Sequence, residues 1–154
     1  MSPRAACRLA TLGFEHVYDY TPGKVDWMAR GLHMEGDKAR EPRAIDFARD
    51  DVTTCRLDDK IADARPRVAA SPYGFALVTS EDGVLLGRLR KATLEGDPDR
   101  LAGELMEPGP STTRADIVPD TLYDKLLKVD LRIAVLTDPE GRLRGIVHRK
   151  DIGP

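Results

Sequence analysis

Apolar and polar positions in the last third of the chain repeat a pattern already present in its middle. Residues 75–94 read FALVTSEDGVLLGRLRKATL and residues 133–152 read IAVLTDPEGRLRGIVHRKDI, and the two strings align without a gap. Ala76 falls on Ala134, Thr79 on Thr137, Gly83 on Gly141, Leu85 on Leu143 and Gly87 on Gly145. Each string is an apolar run, a polar turn ending in Gly and a second run that starts near another Gly, a pattern that predicts a hairpin. In Asp138-Pro139-Glu140-Gly141, Pro presets φ and Gly accepts the positive φ that most side chains avoid. Upstream, an extended segment at 52–57 precedes a helix at 58–64, and one at 111–117 precedes a helix at 119–129. Each half therefore reads strand, helix, strand, strand. A unit this short cannot bury its own apolar face, so the halves are expected to pack on each other.

On the helix at 119–129, Leu122, Leu126 and Val129 form one stripe at i, i+4 and i+7. Tyr123 and Leu127 form a second, displaced by roughly 100°. One stripe covers the helix's own sheet; the other calls for a partner, which predicts a homodimer built through helices.

The first 37 residues stand outside the repeat. Residues 3–12 read as a helix with Ala5, Leu9 and Leu12 on one face and Gly13 as its stop. Residues 14–20 are rich in aromatic and β-branched types and predict a strand. A turn at Thr21-Pro22-Gly23 leads into a helix at 25–30, closed by Gly31. Residues 38–42 are charged and contain Pro, as a boundary should, and 43–51 read as a short helix carrying Ile45, Phe47 and Ala48. The expected division is 1–37, a linker with lead-in helix at 38–51, a first repeat at 52–100 and a second at 101–154.

Composition narrows the classes. The chain of 154 residues is 41% hydrophobic, enough for one compact domain or two small ones. A net charge of −2 gives no general pull toward nucleic acid or an anionic membrane. There is no apolar run of about 20 residues and no charged-then-apolar leader at the start, so a cytoplasmic location is expected. Cys7 and Cys55 lie far apart without a CxxC neighbour and read as unpaired small residues. His16, His33 and His148 have no metal-ligand spacing with them, so no metal site is expected. No GxSxG, P-loop or GxGxxG string occurs. Acidic pairs such as Asp58-Asp59 and Glu81-Asp82 read as turn or helix-start residues. No catalytic set emerges, and no enzyme is expected.

The twofold strand-helix-strand-strand order resembles the tandem CBS domain pair, or Bateman module. The second half carries the likeness best, with Met106 and Pro108 before Thr112-Thr113, then Pro119-Asp120-Thr121-Leu122, then LTDPEGRLRGIVHRKD at 136–151. The resemblance implies an α+β fold of two β-α-β-β repeats, preceded here by an α-β-α segment. It also implies a regulatory sensor without chemistry of its own, binding an adenosine-containing ligand such as AMP, ATP or S-adenosylmethionine.

In that family a Gly and two apolar residues end a strand, Thr or Ser follows, and an Asp three residues later accepts hydrogen bonds from both ribose hydroxyls, as a two-oxygen carboxylate can. Gly145 and Asp151 match. His148 stands where the hydroxyl residue is usual, and with Arg149 it offers positive charge to a phosphate. Thr112, Thr113 and Arg114 open the second repeat where the family lines adenine and ribose. The plain alternatives are a solvated turn at Arg149-Lys150 and an ordinary strand start at 112–114. In the first repeat Gly87 is kept, but Arg90 and Thr93 replace the hydroxyl residue and the Asp. One ligand per chain is therefore expected. The family places a helix after the Asp; here Asp151 lies close to the end of the chain and is expected to fray.

Residues 1–37 resemble the C-terminal end of a rhodanese-like domain, through Leu12-Gly13-Phe14, Val17-Tyr18-Asp19-Tyr20, Gly23-Lys24, Asp26-Trp27 and Gly31-Leu32. That family's reactive cysteine opens a loop before the helix matching 2–12. Cys7 falls inside the helix and does not inherit the role, so the segment reads as a remnant or the product of a late start. Two rival functions stand beside the sensor: a ligand-free dimerisation module, and the regulatory part of a truncated sulfurtransferase.

Overall fold

A computed structural model describes residues 3–153. The chain opens with α1 (Pro3–Thr11) and α2 (Gly23–Ala29). The first repeat is β1 (Thr54–Cys55), α3 (Ile61–Ala70), β2 (Phe75–Thr79) and β3 (Leu85–Arg90). After α4 (Ala102–Leu105) and β4 (Glu107–Pro108) comes the second repeat: β5 (Thr112–Arg114), α5 (Pro119–Lys128), β6 (Ile133–Thr137), β7 (Leu143–His148) and the helical turn α6 (Arg149–Ile152). One sheet has the order β1-β2-β3-β4 and the other β5-β6-β7.

The expected repeat is present down to its register. Phe75 faces Arg90 and Ile133 faces His148, and both hairpins carry a bulge at the same place, before Thr79 and before Thr137. Gly83 and Gly141 take φ of 80° and 81°, the turn role their positions predict. The two turns also touch: Leu85 N–H donates to Gly141 O and Leu143 N–H to Gly83 O, each at 2.9 Å.

The segment leading into each repeat adds an edge to the sheet of the other. β4, which precedes the second repeat, pairs with β3 through Arg88 and Glu107. Arg49, which precedes the first, bridges Ile146 on β7, with N–H···O distances of 2.8 and 3.0 Å. The displacement that sets Phe75 on Ile133 also sets Arg49 on Glu107 and Arg88 on Ile146, so the two crossings are equivalent.

Three apolar clusters follow from this arrangement. Ile61, Ala64 and Val68 of α3 cover Cys55, Ala76, Val78 and Leu89 on one sheet. Leu122 and Leu126 of α5 cover Ala134, Leu136 and Val147 on the other, joined by Ile152 and by Ala29 and Ala44. Between the sheets lie Val52, Leu77 and Ile146, flanked by Tyr73, Phe75, Leu85, Val135 and Leu143. β2 is thus covered on both faces, which is why it reads as an unbroken apolar run rather than an alternation.

Several expectations need correction. Residues 14–20 form no strand; a strand exists through its ladder, and no sheet edge receives this segment. Tyr20 instead packs edge-on against Trp27, ring centres 5.0 Å apart, and donates its hydroxyl proton to Asp26. Residues 43–51 contain only one 3-10 turn, Ala44–Phe47, closed by Arg43 N–H donating to Asp46 Oδ2 at 2.7 Å. The chain then extends at Ala48 to reach β7. Helix α3 starts at Ile61 rather than 58 and runs to Ala70, because Asp59 Oδ2 accepts from Arg56 N–H and ties 56–59 into a turn. The first strand shortens to two residues, since Val52 is drawn into the layer between the sheets. The frayed end expected at Asp151 is a helical turn instead, with Ile152 buried in the core and Gly153 close against the Tyr123 ring.

On α5, Pro119 occupies the first turn and Lys125 and Lys128 the last, in keeping with the helix dipole. Leu122 and Leu126 are buried, but Val129, expected on the same stripe, is exposed beyond the helix end, as is Leu127 of the second stripe. Cys7 is exposed and Cys55 buried, both unpaired. No helix among the described residues is long and apolar enough to cross a membrane.

Candidate functional site

The end of β7 and the turn that follows it build the site. Asp151 sits in α6, and the guanidinium of Arg49 reaches it from the crossing segment, with Nε at 2.9 Å and Nη2 at 2.6 Å from the same carboxylate oxygen, Oδ2. The side chains of the pair are 41% and 23% exposed. The hydrogen bond to Asp151 holds the Arg49 pKa above its ordinary value.

Two residues further along the crossing, Asp51 accepts the hydroxyl proton of Tyr73 through Oδ1. Burial, and then the adjacent Asp51 carboxylate, push the Tyr73 phenol up to about 12. The Tyr73 ring lies between Phe75, with centres 6.0 Å apart, and His148, at 5.5 Å and tilted by 40°. His148, Tyr73 and Phe75 therefore line an aromatic surface beside the Arg49–Asp151 pair.

Gly145 serves this site through the backbone. Its φ is +126°, and a Cβ there would stand 2.6 Å from Arg49 O. The absence of a side chain is what lets Arg49 come alongside Ile146. Gly87 plays the matching part in the first repeat, where a Cβ would meet the Met106 side chain at 2.4 Å.

The remaining residues expected at the site lie elsewhere. Arg149 donates its N–H to Arg132 O at 2.8 Å and turns its guanidinium toward Asp130, 3.5 Å away. Thr112, Thr113 and Arg114 lie on β5, with β6 between them and β7; at about 4.8 Å per strand spacing, that places the two backbones roughly 10 Å apart. Arg114 forms a fork on Asp116 at 2.8 and 2.9 Å, and Thr113 Oγ1 accepts from Lys125 Nζ at 3.5 Å. His148 and Asp151 thus end up on the same turn after β7, His148 against Tyr73 and Asp151 against Arg49, while Thr112–Arg114 stand across the sheet and Arg149 turns toward Asp130.

The equivalent place in the first repeat has the opposite charge order. Glu107 takes the position of Arg49, and it pairs with Arg88 at 2.8 Å and Arg90 at 2.9 Å. Thr93 holds the position of Asp151. Here the crossing segment carries the carboxylate and the strand carries the cations.

Arg49, Asp51 and Tyr73 were not anticipated from the sequence. Their signal lay in the repeat itself, whose constant displacement continues upstream through residue 49 and marks that segment as part of the second sheet.

The CBS domain family model matches residues 102–152. The chain also resembles solved structures. One is the cytosolic domain of the Mg2+ channel MgtE in complex with ATP (24% identity, 73% of this chain and 48% of that one, TM-score 0.62). Another is CBSX2 of Arabidopsis thaliana, in a structure with AMP (20% identity, 71% and 92%, TM-score 0.59). A third is the CBS domain pair of protein MJ0100 with 5′-methylthioadenosine and S-adenosyl-L-methionine (19% identity, 72% and 92%, TM-score 0.56). The chain spans about half the length of the MgtE domain, 48%. No curated protein matches it in sequence. Residues 102–152 carry the CBS signature, and the two sheets with their crossed lead-in segments have the fold of a CBS pair.

Proposed function

We propose that this chain is a regulatory module that performs no chemistry and binds one adenosine-containing ligand beside Asp151. The observation that carries the proposal is the Asp151 carboxylate in the turn after β7, covered by a single guanidinium and flanked by the His148–Tyr73–Phe75 surface. The proteins of like fold described above were solved with ATP, with AMP, and with S-adenosylmethionine and 5′-methylthioadenosine, all of which share adenosine.

Binding would trade one partner of Asp151 for another. The Arg49–Asp151 pair is partly exposed, and such pairs contribute about 0–1 kcal/mol. Hydrogen bonds from ribose hydroxyls to a carboxylate belong to the charge-assisted class, about 1.5–3 kcal/mol. The ribose therefore wins the carboxylate, and the released Arg49 guanidinium becomes available to a phosphate or carboxylate further along the ligand. Base stacking falls to the aromatic surface.

The reading extends to assembly. Val118, Leu127, Val129 and Leu131 leave large apolar side chains exposed on and around α5, a face suited to a second copy of the chain. The division at 1–37, 38–51, 52–100 and 101–154, a cytoplasmic setting, and the rhodanese-like origin of the first segment belong to the same proposal; the last rests on sequence likeness alone.

A second reading, a dimerisation module without ligand, is favoured by Arg49, which already occupies Asp151. Calorimetry with AMP, ATP and S-adenosylmethionine separates the two. One site per chain for any of the three supports the sensor; silence from all three supports the interaction module.

A further inference from the structure

Asp26 and Asp138 are the buried carboxylates among the described residues, at 0% and 2% exposure. They come from opposite ends of the chain, Asp26 from α2 and Asp138 from the turn between β6 and β7. Asp26 Oδ2 accepts from the Tyr20 hydroxyl and from Arg30 Nε at 2.9 Å. Asp138 Oδ1 accepts from Arg142 N–H at 2.8 Å. The other oxygen of each, Asp26 Oδ1 and Asp138 Oδ2, is buried with no hydrogen-bond partner. An exposed third carboxylate, Glu140, completes the group: one oxygen from each residue lies within 4.8 Å of the others.

Buried carboxylate oxygens without a donor are costly, and a group of them facing one another is costlier still. Nearby cations leave the deficit in place. Arg30 Nη2 and Arg142 Nη1 lie 3.9 and 3.8 Å from Glu140 Oε2, beyond hydrogen-bond distance. Arg144 spends an Nη2 donor on Arg30 O at 3.3 Å.

We infer that Asp26, Asp138 and Glu140 bind a hard divalent cation, with Ca2+ the best match. An all-oxygen, all-carboxylate set excludes soft metals. Ca2+ holds oxygens at about 2.3–2.6 Å, so ligands on opposite sides of it lie about 4.6–5.2 Å apart. The three oxygens lie within 4.8 Å of one another, close enough to share one such ion. Mg2+ at about 2.0–2.1 Å demands a near-ideal octahedron, which carboxylates from two distant segments meet less readily than the flexible shell of Ca2+. The ion takes up Asp26 Oδ1 and Asp138 Oδ2 directly, and Glu140 turns from its distant arginines to close the open side. Its effect is to clip the first segment of the chain onto the hairpin of the second repeat, a role independent of any ligand at Asp151.

Terbium is the first probe. Tyr20 bonds to Asp26 and packs edge-on against Trp27, so Tb3+ in the site should emit when these rings are excited, and CaCl2 should quench the emission by displacement. Calorimetry on the chelator-treated full chain should give one Ca2+ per chain, with MgCl2 at least tenfold weaker. Asp138→Asn should abolish binding and Glu140→Gln weaken it at least tenfold. Should Asp138→Asn fail to fold by circular dichroism, the exposed Glu140→Gln decides alone. Absence of both sensitised emission and Ca2+ heat in the wild type overturns the inference, and would leave a proton shared between the carboxylates as the occupant. Wild-type affinity in either folded variant overturns it as well.

Discussion

Arg49 and Asp151 are separated by most of the chain, yet both guanidinium donors meet one oxygen of the carboxylate, the nearer at 2.6 Å. Arg49 arrives there because its own backbone is paired to Ile146, two residues before the end of β7. The side-chain contact is thus a product of the sheet, and it puts the acceptor expected for ribose under the control of a residue belonging to the approach to the first repeat.

Asp151→Ala should weaken binding of AMP, ATP or S-adenosylmethionine by about ten- to a hundredfold, from about 1.5–3 kcal/mol for a hydrogen bond to a charged group. Thr93→Ala, at the equivalent place in the first repeat, should change little. Calorimetry on both variants checks the pair. Loss in Thr93→Ala with retention in Asp151→Ala would place the ligand in the other cleft.

Arg49→Ala should split the ligands by charge. Adenosine, which only needs Asp151 vacated, should bind as well or better. ATP, which gains the released guanidinium, should bind several-fold less well than to wild type. A parallel loss for adenosine and ATP would mean that Arg49 shapes the pocket and does not reach a phosphate.

Gly145→Ala should destabilise the fold more than Gly87→Ala. At Gly145 a positive φ and the Arg49 carbonyl both oppose a side chain, whereas at Gly87 the obstacle is the Met106 side chain alone, its Cβ, Cγ and Sδ at 2.9, 2.8 and 2.4 Å. Strain of this kind costs about 1–3 kcal/mol, read as a shift in urea midpoint. Similar midpoints for the two variants would contradict the account of the Arg49 crossing.

Tyr73 supplies a pH marker. Its neutral form is favoured in the folded chain, so the stability it adds is complete below the ordinary tyrosine range near pH 10 and is lost as pH rises through about 12. Ultraviolet titration should show a tyrosinate transition near pH 12 that is missing in Tyr73→Phe. Its persistence there would assign the late transition to another tyrosine.

Leu127→Glu combined with Val129→Glu should leave the fold intact, since both side chains are exposed, and should shift the chain toward monomer in sedimentation at tens of micromolar, roughly the range of a modest interface. A wild type that is already monomeric under those conditions would remove the proposed α5 dimer.

The repeat was legible because hairpins are local: apolar runs, Gly turns and their spacing specify Phe75–Thr79 with Leu85–Arg90 and Ile133–Thr137 with Leu143–His148 without reference to the rest of the chain. The candidacy of Asp151 came from family likeness, not from its own spacing. Residues 14–20 show the limit, because an aromatic such as Tyr20 is satisfied equally by its edge-on contact with Trp27 when no sheet edge is available. Arg49 and Tyr73 reach the site through pairings between distant segments, and Asp26 meets Asp138 the same way. A spacing rule for metal ligands finds residues close in sequence and passes over carboxylates that only the packed chain brings together.

The two crossed lead-in segments bear on how the molecule comes apart. Cutting between the repeats would leave β7 without its Arg49 edge and β3 without β4, each half exposing unpaired backbone and the face formed by Val52, Leu77 and Ile146. The halves therefore melt as one body, in a single transition with no stable half-molecule between. Because the Arg49–Ile146 crossing closes a loop that spans both repeats, completing the second sheet must wait for a contact distant in sequence, which makes folding slow for a chain of this length.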